Sequence, residues 1–242
     1  MTTLLLIHAF PVDAEMWEPQ VSALRGEVEV LAPSLPGFGG TPPIGDVMTM
    51  DAAADALASE LDRAGVDRAV AAGVSMGGYV AFSLWRRHRH RIAGLALADS
   101  RADPDDDAGR DRRRAVAETA RAGGSEAIAA EPPPLLTEDA DPDLWERIRA
   151  MIRRQPGEAI AAAALGMAER PDSRPILGGI DVPTAVIVGS ADTLTPPPMS
   201  EAMASAIPDA ELVVLHGAGH LSNLQEPDGF TEAIRALVRR TG

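Results

Sequence analysis

The chain has 242 residues, a formal net charge of −14, and 45% hydrophobic but only 3% aromatic residues. That length suits one large domain, or one domain with a sizeable insertion, and so acidic a surface makes nucleic acid and anionic membrane poor partners. Cysteine and lysine are both absent, which removes disulfides, thiolate nucleophiles, Schiff-base lysines and a Walker-type phosphate lysine.

The N-terminus reads Met1-Thr2-Thr3 and then an apolar run over residues 4–7. The run lacks a basic leader and is too short for a signal-peptide core, so a cytoplasmic protein is expected. No stretch approaches the roughly 18 apolar residues of a membrane span. Residues 4–7 are instead the first predicted strand. Asp13 can cap a helix running through Trp17 and Val21 to Leu24. A second strand covers 28–31 and stops at Pro33. Thr49 caps the next helix, in which Leu57 and Leu61 share a face and Gly65 supplies the left-handed end. A third strand over 69–74 leads into a helix that follows Ser75 and runs to about Arg89. Strands over 95–98, 185–188 and 212–215 complete six, and a last helix runs from about Asp228 to Arg240. Most strands are continuous apolar runs, as expected where both faces are buried in a parallel sheet. The alternation predicts an α/β fold with a mostly parallel sheet of about six strands and helices on both faces.

Residues 101–176 break the pattern. They open with Asp103-Pro104-Asp105-Asp106-Asp107, include Pro132-Pro133-Pro134, and hold two helical stretches near 144–154 and 158–169. A helical insertion between two strands reads as a cap over the sheet edge, since open α/β sheets bind ligands at the carboxyl ends of their strands. A solvent-side excursion is the alternative. The expected division is a core of residues 1–100 and 177–242 with a helical cap of 101–176.

Gly73-Val74-Ser75-Met76-Gly77 fits the nucleophile-elbow pattern G-x-S-x-G, with a strand directly before it and a helix directly after it. An ordinary glycine-rich turn gives the same letters, but here the context is right. A serine on so sharp a turn needs small neighbours, which Gly73, Gly77 and Gly78 supply. The turn also aims the backbone N–H of Met76 toward a developing oxyanion. Serine needs a base. His220, in a glycine-rich loop after the last strand, falls on the same sheet edge. His88 and His90 lie among arginines at a helix end, and His216 falls at a strand end. Asp192, just beyond the fifth strand, is the candidate acid for the far imidazole nitrogen, with Asp99 as its rival. The second oxyanion donor falls to the backbone N–H of Phe10, in the loop after the first strand.

Taken together, His8-Ala9-Phe10-Pro11, Pro33-Ser34-Leu35-Pro36-Gly37-Phe38-Gly39, Gly73 to Gly78, Gly189 to Asp192, and Gly217 to His220 followed by Glu226-Pro227 resemble the α/β-hydrolase superfamily. The likeness is to its small serine esterases, with cofactor-free perhydrolase-like enzymes and enol-lactonases beside them. That resemblance implies a Ser75–Asp192–His220 triad, a structural role for His8, a variable helical cap, and a sheet lacking the family's two leading strands. Ala9 stands where the family usually has glycine. The implied reaction is cleavage of a small carboxylic ester through an acyl-enzyme, needing no cofactor and no metal. Lactone opening and perhydrolysis would use the same residues, and a non-enzymatic ligand receptor is a distant alternative. Pro11 is expected at the pocket, where its carbonyl could accept a bond from peroxide. Leu135, Leu136, Trp145 and Met151 are expected to line the pocket from the cap.

Overall fold

The computed structural model describes residues 2–241. The four most apolar runs become the middle of a sheet: β1 (Thr3–Ile7) is followed, beyond the edge strand β2 (Glu29–Leu31), by β3 (Ala69–Val74), β4 (Ile92–Ala98) and β5 (Thr184–Gly189). β6 (Ala210–Leu215) forms the other edge. The spatial order is β2-β1-β3-β4-β5-β6, and every pairing is parallel. The sheet is thus wholly rather than mostly parallel. Burial on both faces holds for β1, β3 and β5, whereas the edge strands β2 and β6 are partly exposed. Edge strands have a neighbour on one side only, and the helices do not fully cover them.

Asp13 does cap a helical turn, but the segment splits into a short 3-10 turn at Ala14–Trp17 and α1 (Glu18–Ala23). The Thr49 hydroxyl caps α2 (Met50–Arg63), and Gly65 follows it at φ +68°. α3 (Met76–His88) begins one residue after Ser75. Between β4 and β5 lie α4 (Asp107–Ala130), α5 (Pro142–Arg153), α6 (Gly157–Ala168) and the short α7 (Arg174–Leu177). The sequence pointed to α5 and α6 but not to α4. That helix is mostly charged or small residues, and Gly124, at φ +67°, breaks its helical geometry near the end. α6 is alanine-rich and almost wholly buried. It meets α4 so closely that a β-carbon on Gly157 would fall 2.4 Å from the Ala120 carbonyl oxygen. α8 (Pro197–Ala206), α9 (Ser222–Gln225) and α10 (Pro227–Arg240) complete the chain.

The region between β4 and β5 is anchored to the sheet-edge loops at several points. The Leu221 N–H donates to the Leu135 carbonyl at 2.8 Å, and the Met48 N–H donates to the Ala162 carbonyl at 3.0 Å. Gln155 donates to Asp13 at 2.7 Å and accepts from the Gly39 N–H at 2.9 Å. No helix among the described residues is long and apolar enough to cross a membrane.

Candidate functional site

In a parallel sheet all carboxyl ends face one way, so the loops after β1, β3, β4, β5 and β6 meet along one edge. Ser75 stands at the β3 end, in a backbone conformation (φ 56°, ψ −113°) that side-chain-bearing residues seldom adopt. The turn is held by the Ser75 N–H on the Ala98 carbonyl at 2.9 Å and by the Ser100 hydroxyl on the Ser75 carbonyl at 3.0 Å. It also depends on two bare glycines. A β-carbon on Gly73 would sit 2.2 Å from the Gly77 carbonyl oxygen, and one on Gly77 would sit 2.1 Å from that of Ile7. The start of α3 is therefore pressed against the end of β1, beside the loop that carries Phe10.

His220 Nε2 lies 2.7 Å from Ser75 Oγ, and its Nδ1 lies 2.9 Å from Asp192 Oδ2. Histidine and acid are both buried. Burial alone would raise the Asp192 carboxyl, but hydrogen bonds from His220 and Thr195 outweigh it and hold the group below its ordinary range. The loop after β5 wraps the carboxylate closely: the N–H groups of Leu194 and Thr195 reach Oδ1 at 2.8 and 3.0 Å, and the Thr195 hydroxyl reaches Oδ2 at 2.6 Å. Thr195 went unnoticed in the sequence. An Asp-x-x-Thr spacing at a helix start was its only signal.

Asp99 is fully buried but does not meet the imidazole by a hydrogen bond. It accepts from the Gly189 N–H at 2.9 Å and from the Ser222 N–H at 3.3 Å, and also from the Ser222 hydroxyl. Burial, reinforced by the nearby Asp192 charge, pushes it up to about 7 despite His220 and Ser222. His8 is buried and pushed down to about 4 by that burial. Its Nε2 accepts from the Leu35 N–H at 2.9 Å, so Nδ1 carries the proton and donates to the Ala9 carbonyl at 2.9 Å. It thereby pins the first loop to the 33–39 loop. The Ala9 N–H donates to Met16 Sδ at 3.1 Å. Among the described residues, neither the Phe10 nor the Met76 N–H has a protein acceptor.

Ser75 and His220 open into a cavity of about 360 Å³, at the small end of the ~300–1,000 Å³ typical of small-molecule sites. Its apolar lining includes Phe10, Val116, Ile128, Leu135, Met167 and Leu194. Of the pocket residues expected from the sequence, Leu135 lines it, while Pro11, Leu136, Trp145 and Met151 do not. Met151 and Leu136 are buried in the apolar core. Trp145 is only partly buried and stacks under Arg149 at 5.5 Å. Pro11 is buried, and Phe10 takes the lining position beside it. α4, the helix the sequence did not reveal, supplies more of the cavity lining than any other helix, whereas Trp145 and Met151 of α5 pack elsewhere. Among the described residues, no cluster of three His, Asp or Glu residues could hold a metal ion.

A family model described as alpha/beta hydrolase fold matches residues 2–227. The chain is 30% identical to the pimeloyl-[acyl-carrier protein] methyl ester esterase of Aromatoleum aromaticum, over 98% of each chain. A thermophilic esterase from Thermogutta terrifontis, solved with malate bound, superposes with a TM-score of 0.96 at 45% identity, covering 100% of this chain and 90% of that one. The enol-lactonase of Burkholderia xenovorans LB400 gives 0.90 at 30% identity, covering 98% and 91%.

Proposed function

This chain belongs to the alpha/beta hydrolase fold family, and on that footing we propose that it is a serine hydrolase that cleaves a small carboxylic ester through an acyl-enzyme. The observation that carries the reading is the continuous line from Ser75 Oγ through His220 to Asp192, at 2.7 and 2.9 Å, opening into a cavity. Ser75 Oγ attacks the ester carbonyl carbon while its proton passes to His220 Nε2. Asp192 holds the proton on Nδ1 and stabilises the imidazolium. The carbonyl oxygen, now negative, receives the N–H groups of Phe10 and Met76. As the carbonyl re-forms, the alcohol leaves with the proton from His220. Water then repeats the cycle on the acyl-enzyme, giving its proton to His220 and releasing the acid.

In this reading residues 101–176 act as a cap over a core of 1–100 and 177–242. The likeness to an enol-lactonase favours a second substrate type, since a lactone is an internal ester and asks for the same residues. The reading is tested by rate measurements on p-nitrophenyl esters of increasing chain length beside five- and six-membered lactones. Turnover of short esters or lactones, with an initial burst of p-nitrophenol, is expected. No turnover of any of them would overturn it.

A further inference from the structure

Away from Ser75 and His220, the polar side chains on the lining are Tyr79, Arg101, Asp105, Arg112, Arg113, Glu131 and Thr195, and the Tyr79 ring lies under Arg170 at 4.2 Å. Thr195 is accounted for by Asp192. The rest is an arginine-rich wall. Gly109, Arg112, Arg113 and Val116 recur at the three-and-four spacing of one helix face, so α4 presents them together.

Asp105 organises this wall. Its side chain is 2% exposed and is shared by three guanidinium groups. Arg170, itself buried, grips it in two-pronged fashion at 2.8 and 2.9 Å. Arg113 reaches it through Nε at 3.2 Å, and Arg101 also binds it. Burial would raise the Asp105 carboxyl, but Arg170, Arg113 and Arg101 together hold it well below the usual carboxylate range. Asp103 sits 3.5 Å from Arg101, and Glu131 lies on the lining. On the lining itself, three arginines (Arg101, Arg112 and Arg113) stand with two carboxylates (Asp105 and Glu131), an excess of positive charge in a chain whose net charge is −14.

The donors are not used up. Among the described residues, Arg112 has no hydrogen-bond or ion-pair partner, and Arg113 spends only Nε. A guanidinium offers paired N–H donors in a plane that matches a carboxylate. Arg112 is exposed to solvent and lines the cavity, so its donors are free to meet a ligand that enters.

We propose that the substrate carries a free carboxylate on the arm away from the scissile ester, and that Arg112 and the free end of Arg113 receive it. The substrate class is then the monoester, or lactone, of an acid that keeps a second carboxyl group. This rests on the hydrolase reading of Ser75 and narrows it.

Monomethyl adipate and methyl hexanoate share a six-carbon acyl chain and differ in ending on a carboxylate or a methyl group. Their hydrolysis can be followed by pH-stat, with p-nitrophenyl acetate as a separate check on the hydrolase reading. An apolar pocket would prefer methyl hexanoate. The wild-type protein should prefer monomethyl adipate in kcat/KM by on the order of tenfold, the scale of one charge-assisted contact. The preference should shrink with added salt. Arg112→Gln should bring the ratio close to one, with Arg112→Lys between the two. The proposal is overturned if wild type shows no preference for the acid ester, if the ratio survives in Arg112→Gln, or if p-nitrophenyl acetate is cleaved but neither methyl ester is. Failure on all three substrates would instead strike the hydrolase reading itself.

Discussion

The two ends of the cavity are built by different means. At the Ser75 end, backbone does the positioning: strand ends, a strained elbow, and glycines that let α3 press against β1. At the arginine end, side chains do it: a helix face held by ion pairs converging on one buried carboxylate. On the proposed reading, the sheet edge fixes the chemistry, and the helical segment between β4 and β5 sets the choice of substrate. It follows that damage at the first end should abolish turnover in a folded protein, and damage at the second should alter selectivity or stability.

The largest effect belongs to the first end. Ser75→Ala should lower kcat for an activated ester by about 10⁶-fold, the scale seen when a nucleophile that works as a unit with its base is removed. A folded variant with unchanged turnover would take Ser75 out of the reaction. Asp192→Asn should cost about 10⁴-fold, because an amide can hold the ring but cannot stabilise the imidazolium. Asp99→Asn should stay within roughly tenfold, since Asp99 bonds Ser222 and Gly189 rather than His220. Steady-state rates for the two variants decide between the acids, and a reversed order would move the acid to the β4 end.

At the second end the large effect is on stability. Asp105→Asn leaves Arg170 buried without its counter-charge, at a cost of about 3–5 kcal/mol. Urea unfolding followed by circular dichroism should show a clearly lower midpoint; an unchanged one would mean that the arginine wall stands without Asp105.

A further effect concerns pH. Asp99 is raised to about 7 in the folded protein, against about 3.9 in an unfolded chain. Between those values the folded state keeps a proton that the unfolded state has shed. Its contribution to stability is therefore full below about pH 4, falls as pH rises toward 7, and is flat above that. Asp99→Asn removes this contribution, so its urea midpoint should decline less than that of wild type from about pH 4.5 to about 7.5. Parallel pH profiles would show that Asp99 does not titrate in that window.

The same contrast explains what could be read from the sequence. The elbow, the His220 loop and the Asp192 loop are encoded within a few consecutive residues, because each needs small residues at fixed offsets from a strand end. Six strands and their direction followed from apolar runs broken by helical patterns. The arginine wall has no such local code. Gly109, Arg112, Arg113 and Val116 carry a helical spacing that could have been noticed, but α4 is mostly polar, and its buried face is defined by α6 and α5 packing against it. Arg170 and Asp105 are 65 residues apart, and nothing near either of them indicates the pairing. Met151 and Leu136 looked like pocket residues for the same reason: apolar side chains in a cap-like segment carry no mark that separates lining from core.

The most direct test of the central claim is covalent. Wild-type protein treated with a fluorophosphonate should take up one adduct per chain, and peptide mass spectrometry should locate it on Ser75, with labelling lost in Ser75→Ala and strongly slowed in His220→Ala. An adduct on another residue, or no adduct in folded protein, would contradict the assignment of Ser75 as the activated nucleophile.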